Sequence, residues 1–167
     1  AAAPAERVRI GIAHDQAFGF YYSEDIDSLR AANVELVDID TLHAQALPEV
    51  DGLIIGGGFP EMFMAELEAN TALRSNIRNA IEGGLPTYAE CGGLMYLSKS
   101  LDWQGRSCEM VGAVPGNTVM HEHPVGRGYA RLQPSGEGRW QETAPIPAHE
   151  FHYSSLENLP ADSIYAY

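Results

Sequence analysis

The chain has 167 residues and carries 23 Asp/Glu against 10 Lys/Arg, a formal charge of −13. That balance argues against a phosphate-tracking nucleic-acid binder, which needs clustered Lys/Arg, and against binding to anionic membrane surfaces. No apolar run approaches the roughly 20 residues of a membrane span, and a hydrophobic content of 45% suits one globular domain with a real core.

Residues 1–7, Ala-Ala-Ala-Pro-Ala-Glu-Arg, read either as a linker remnant or as an ordinary frayed terminus, and carry no signal-peptide pattern. Residues 8–13 form a β-branched strand, 24–32 a short helix, 34–39 a second strand and 52–55 a third, which ends in Gly56-Gly57-Gly58. Helices follow over 62–69 and 71–81, the second with Leu73, Ile77 and Ile81 on one face. Gly83-Gly84 stops it, and a fourth strand over 85–89 leads into Cys91. A helix over 92–98 then carries Leu94, Met95 and Leu97. This alternation predicts an α/β fold, a mostly parallel sheet with helices on both faces. Beyond residue 100, apolar stretches at 109–114, 128–132 and 148–153 predict antiparallel excursions, and 163–167 reads as a terminal strand.

Two cysteines make no disulfide framework, and a reducing cytoplasmic compartment is the default. Cys91, at the end of a strand and followed by Gly92-Gly93 and an apolar helix, has the layout of a nucleophile elbow. The sharp turn needs small residues two before and two after the nucleophile, and these are Ala89 and Gly93. The helix start favours the thiolate. A buried structural cysteine is the alternative for Cys91 and the expectation for Cys108. A thiolate attacking an amide needs oxyanion donors, for which the triple glycine Gly56-Gly57-Gly58 and Gly92 offer unobstructed backbone N–H groups. The triple glycine is not a P-loop, because no Lys precedes Lys99.

An acid must protonate the leaving nitrogen, and of six histidines those of the segment His149 to Ser154, on the 148–153 strand, are the likeliest source, His149 or His152. Metal readings of His121-Glu122-His123 and of His149 with His152 lack a firm zinc spacing, so no metal site is expected. Arg127 or Arg131 is either a solvated surface group or a clamp for an α-carboxylate. The aromatic run Phe18, Phe20, Tyr21, Tyr22 reads first as core and otherwise as the lining of a surface that faces a reaction partner.

Four segments, in order, carry a family resemblance: Asp15 to Tyr22 (DQAFGFYY), Gly56 to Glu61 (GGGFPE), Ala89 to Leu97 (AECGGLMYL) and His149 to Ser154 (HEFHYS). Together they resemble the glutamine amidotransferase domain of cobyrinic acid a,c-diamide synthase, within the wider cobyrinate/cobyric-acid amidotransferase group. The resemblance implies a flavodoxin-like class I glutaminase over residues 8–167, with L-glutamine as substrate, Cys91 acylated, His152 as base and acid, and an oxyanion hole at Gly57 or Gly58 and Gly92. It also implies ammonia delivery to a corrinoid acceptor held by an ATP-binding synthetase domain with Mg²⁺. That domain is absent from these 167 residues, and no cofactor is expected in this chain.

Three departures go with the resemblance. Ser154 stands where many class I amidotransferases place a Glu, which leaves a Cys–His dyad with Glu150 as a candidate to orient His152. The ATP-binding half is missing. The domain is expected to be truncated at its C-terminal end, and an unpaired terminal strand there leaves homo-oligomer formation open. Two other functions fit the elbow alone: a Cys hydrolase of a related α/β superfamily, or a catalytically silent binding module.

Overall fold

The computed structural model describes residues 7–137 and 144–167. Apart from Arg7, whose Nε donates to the Asn33 side chain at 3.2 Å, the expected linker at 1–7 lies outside them.

β1 (Val8–Ala13) is followed by a short strand β2 (Phe18–Phe20), α1 (Ser23–Ala31), β3 (Val34–Ile39) and β4 (Gly52–Ile55). Next come β5 (Gly57–Gly58), a 3₁₀ turn over Pro60–Phe63, α2 (Met64–Ala69), α3 (Thr71–Glu82), β6 (Thr87–Ala89) and α4 (Gly92–Leu97). The main sheet is parallel, in the order β3-β1-β4-β6. Counted along the chain its strands run 2-1-3-4, the doubly wound order of flavodoxin-like folds.

The alternation of side chains across this sheet sorts the helices. Leu53 and Ile55 on one face are fully buried with Leu67, Leu73, Ile77 and Met95 from α2, α3 and α4. On the other face Ile12, Ile54 and Tyr88 stand side by side in register. With Ile26 and Leu29 of α1 they line a cavity of about 440 Å³. The expectation of helices on both faces is met.

The second half holds β7 (Ser100–Trp103), β8 (Arg106–Glu109), β9 (Asn117–Met120), β10 (Gly126–Leu132), β11 (Ile146–His152) and β12 (Ser154–Glu157). They form a four-stranded sheet β12-β9-β7-β8 and a separate ribbon β10-β11. All pairs are antiparallel except β7 with β9.

Two expected strands are not strands. Over 109–114 the ladder ends at Glu109, and the following N–H groups of Met110, Val111, Gly112 and Val114 bond the carbonyls of Lys99, Tyr96, Ser98 and Leu97. The segment wraps the C-terminal end of α4 and satisfies carbonyls that the helix leaves unpaired. Its apolar residues, Met110 and Val111, are buried by that packing rather than by pairing. Over 163–167 the chain is irregular. The Ala166 carbonyl receives the Ser135 N–H at 2.9 Å and the Tyr165 carbonyl receives the Ser135 hydroxyl, so no terminal strand edge is presented there.

The predicted aromatic core also divides. Phe18 is buried against Tyr96, with ring centroids 5.5 Å apart. Tyr21 is half-buried and is fixed by its hydroxyl, which donates to Ala13 O at 2.6 Å and accepts from Gly56 N at 3.0 Å. Phe20 and Tyr22 are exposed, Tyr22 to 76%.

Candidate active site

Cys91 follows β6 at the carboxyl edge of the parallel sheet, where open α/β sheets place their ligands. Its backbone has φ 49° and ψ −115°, a conformation that side-chain-bearing residues rarely adopt. The turn is held by Glu90 N to Ile55 O (3.1 Å), Gly93 N to Glu90 O (2.8 Å) and Met95 N to Cys91 O (3.2 Å). The requirement for small neighbours has a structural cause. A Cβ at Gly93 would strike the Ile55 carbonyl, so α4 leaves the sheet too tightly for any side chain there. Cys91 itself is exposed, whereas Cys108 is buried, and burial with Glu68 alongside pushes the Cys108 thiol up.

The Gly-Gly-Gly loop lies directly against this turn. A Cβ built at Gly57 would lie 3.9 Å from the Cys91 Cβ, and one at Gly92 would lie 3.0 Å from Gly58 N and 3.1 Å from Gly58 O. Gly58 is pinned from behind, because a Cβ there would strike the Ala17 carbonyl. Gly57 thus packs at Cys91, and Gly58 packs against Gly92, the next residue of the turn.

His152 and Glu150 reach the same place from the β10-β11 ribbon. They line, with Cys91, Tyr22, Glu90 and Thr118, a cavity of about 800 Å³, within the size range of small-molecule sites. His152 Nδ1 lies 2.7 Å from the Ser154 carbonyl. Glu150 Oε2 lies 3.9 Å from Nε2, on the other side of the ring. The residue expected to orient His152 therefore does not touch the orienting nitrogen.

Of the remaining sequence candidates, His149 also lines this cavity, and the others stand apart from it. Arg127 and Arg131 are exposed on β10. His121 Nε2 pairs with the Ser155 hydroxyl at 2.8 Å, and His149 stacks edge-on with Tyr129. Among the described residues, no group of three or more His, Cys, Asp or Glu converges as a metal site would require.

Three features went unread in the sequence. Glu90 sits beside Cys91 and accepts the Tyr88 hydroxyl at 2.9 Å. Burial and this carboxylate push the Tyr88 phenol up to about 12. Gly126 lies opposite His152 in the ribbon, and only the register of two strands reveals that. Asp15 anchors the loop before β2: it accepts Ala17 N (2.7 Å) and Phe18 N (3.1 Å) on one oxygen, and Thr41 N (2.5 Å) and Thr41 Oγ1 (2.6 Å) on the other. Its side chain is an Asx-type signal, but its partner 26 residues away is not.

A thiol on a strained strand–turn–helix, packed against glycine backbone at the carboxyl edge of a 2-1-3-4 sheet, defines a class of α/β domain to which glutamine amidotransferases belong. The crystal structure of a glutamine amidotransferase from Thermotoga maritima superposes with a TM-score of 0.62 at 15% identity, over 93% of this chain and 64% of that one. That likeness shows the fold.

The family follows from sequence: the model of the CobB/CobQ-like glutamine amidotransferase domain matches residues 9–167, and the chain belongs to that family. It is 48% identical over 161 residues to the cobyrinate a,c-diamide synthase of Magnetococcus marinus, covering 96% of this chain and 34% of that protein. It is 39% identical to the enzyme of that name from Methanosarcina barkeri, covering 97% of this chain and 35% of that protein. The chain thus spans about a third of the length of these relatives. Among the described residues no helix is long and apolar enough to cross a membrane.

Proposed function

We propose that the chain is the glutaminase part of a cobyrinate a,c-diamide synthase, with Cys91 as nucleophile and His152 as general base and acid. The observation that carries the reading is that Cys91, strained into an elbow, and His152 line one cavity in a member of an amidotransferase family.

The Cys91 thiolate attacks the side-chain amide carbon of L-glutamine, and backbone N–H groups at Gly57 or Gly58 and at Gly92 receive the developing oxyanion. His152, having taken the Cys91 thiol proton to form that thiolate, passes it to the departing nitrogen. The C–N bond breaks, ammonia leaves and a γ-glutamyl thioester remains on Cys91. Water, giving its proton to His152, then hydrolyses the thioester to glutamate and restores the thiol.

The ammonia is used elsewhere. Amidation of the a and c carboxylates of a corrinoid requires their activation by ATP with Mg²⁺, which a synthetase domain of the longer polypeptide supplies. The rim of the site suits a covering partner: exposed Val125 and Phe151 line the cavity of Cys91, and exposed Phe20, stacked edge-on with exposed Phe59, packs at Gly57 beside it. Such patches mark interaction surfaces. Cytoplasmic ATP and glutamine place the reaction in the cytoplasm.

The test is glutamate release from glutamine. Cys91→Ser is expected to reduce turnover by about 10³-fold or more and His152→Ala by about 10²- to 10⁴-fold. Wild-type rates in both variants overturn the assignment. Diazo-oxo-norleucine, a glutamine-mimicking electrophile, is expected to label Cys91. Labelling by general thiol reagents alone favours a hydrolase without glutamine specificity.

A further inference from the structure

We propose that the catalytic ring of His152 is set by the main chain, with the Ser154 carbonyl in place of a third side chain and Gly126 as the slot that receives the ring. The proposal rests on the glutaminase reading for its functional meaning and on geometry alone for its content.

A carbonyl oxygen can only accept a hydrogen bond. At 2.7 Å from the Ser154 carbonyl, Nδ1 of the neutral ring carries the proton, and Nε2 holds the free electron pair. In Cys- and Ser-based triads that tautomer is fixed by a third side chain on Nδ1, a carboxylate or an amide. Here Glu150, the near carboxylate, lies 3.9 Å from the opposite nitrogen, and the side chain two residues on is a serine.

The chain makes this arrangement locally. β11 ends at His152 and β12, which belongs to another sheet, begins at Ser154. The carbonyls of His152 and Tyr153 are taken by Val125 N (2.9 Å) and His121 N (2.8 Å). These bonds fix the crossover on both sides of Tyr153 and hold the Ser154 carbonyl against the ring.

Gly126 completes the seat. It is the register partner of His152 across the ribbon and is buried. A Cβ there would lie 2.8 Å from Cδ2, 3.0 Å from Cε1 and closer still to Nε2. Its φ is not among the positive values seen at Gly84, Gly105, Gly112, Gly128 and Gly136. Its backbone therefore does not demand glycine, and the ring does. Gly126 is a positioning residue: it acts through where it lets His152 lie.

The deciding measurement is ¹⁵N NMR of the histidine rings in the 167-residue chain, with His152 assigned through His152→Ala. The expected result is an Nδ1–H, Nε2-unprotonated ring at a pH where the ring is neutral. The Nε2–H form, or the mixed population of a free histidine, overturns the proposal whatever the enzyme does.

In Gly126→Ala the ring is expected to lose the Nδ1–H signature. Turnover of glutamate release is expected to fall by about 10²-fold, the scale of one misplaced acid–base group, with KM changed by less than about threefold. A Gly126→Ala protein that keeps both the signature and the turnover also overturns it. If Cys91→Ser retains glutaminase activity, the functional reading falls while the wild-type tautomer result still decides the geometry.

Discussion

Cys91 occupies a conformation, φ 49° and ψ −115°, that costs about 1–3 kcal/mol for a residue with a side chain. It is exposed, so burial of the thiol repays little of that cost, and the geometry is explained by what it presents rather than by stability. Cys91→Gly removes the strain and loses few contacts. It is expected to raise the unfolding free energy by about 1 kcal/mol, read as a higher urea midpoint, while abolishing glutamate release. A lower midpoint would show that the turn is unstrained. The elbow at Cys91 and the close packing of Gly57, Gly58 and Gly92 there were legible in the sequence because a sharp strand–turn–helix demands a local pattern of small residues. Gly126 and the Ser154 carbonyl were not. One is meaningful only through the β10-β11 register, and the other is main chain, which no residue type announces.

Among elements, the alternating first half was readable since its strands and the helices α2, α3 and α4 bury the apolar face their own sequence displays, while α1 follows the pattern with Ile26 and Leu29 only half-buried. The second half was harder, because apolar residues at 109–114 serve to cap α4 rather than to pair in a ladder. The loops joining the elements were hardest of all, as their polar anchors act over long separations. Asn70 illustrates this. It caps α3 by accepting Leu73 N at 3.3 Å, and it donates to Thr41 O at 3.0 Å and Ala44 O at 2.9 Å. The capping role is visible from Asn before a helix, whereas the tie to the loop after β3 is not. Thr41, 1% exposed, is held between Asn70 and Asp15. Asp15→Ala leaves its amide and hydroxyl without their partner and is expected to cost about 3 kcal/mol. Asn70→Ala is expected to cost about 2 kcal/mol. Calorimetry checks both, and losses below about 0.5 kcal/mol would mean that water replaces these bonds.

At the scale of the whole molecule the fold carries titrating groups displaced in opposite directions, and these define a pH range of stability. Glu68 accepts the Glu109 N–H at 2.7 Å, and that bond holds its carboxyl below the ordinary value of 4.5. A depressed carboxyl contributes stability that is present above its unfolded value and is lost as pH falls through the folded one. At the alkaline end burial raises Tyr21 and Tyr96, and burial together with Glu90 pushes Tyr88 up to about 12. The folded state then holds protons that the unfolded chain releases from pH 10 upward, so stability declines as pH rises above 10 toward 12. The net charge of −13 acts in the same direction, since each further ionisation adds self-repulsion to a chain already strongly negative. Urea midpoints are therefore expected to be flat between about pH 5 and 9, to fall below about 4.5 and to fall again above about 10. The alkaline fall is expected to be steeper at low salt than in 0.5 M salt, where screening is shorter-ranged than about 5 Å. A midpoint that stays constant to pH 12 would show that these phenols ionise as freely in the fold as in the unfolded chain, and that the Tyr88–Glu90 contact beside Cys91 is not held in solution.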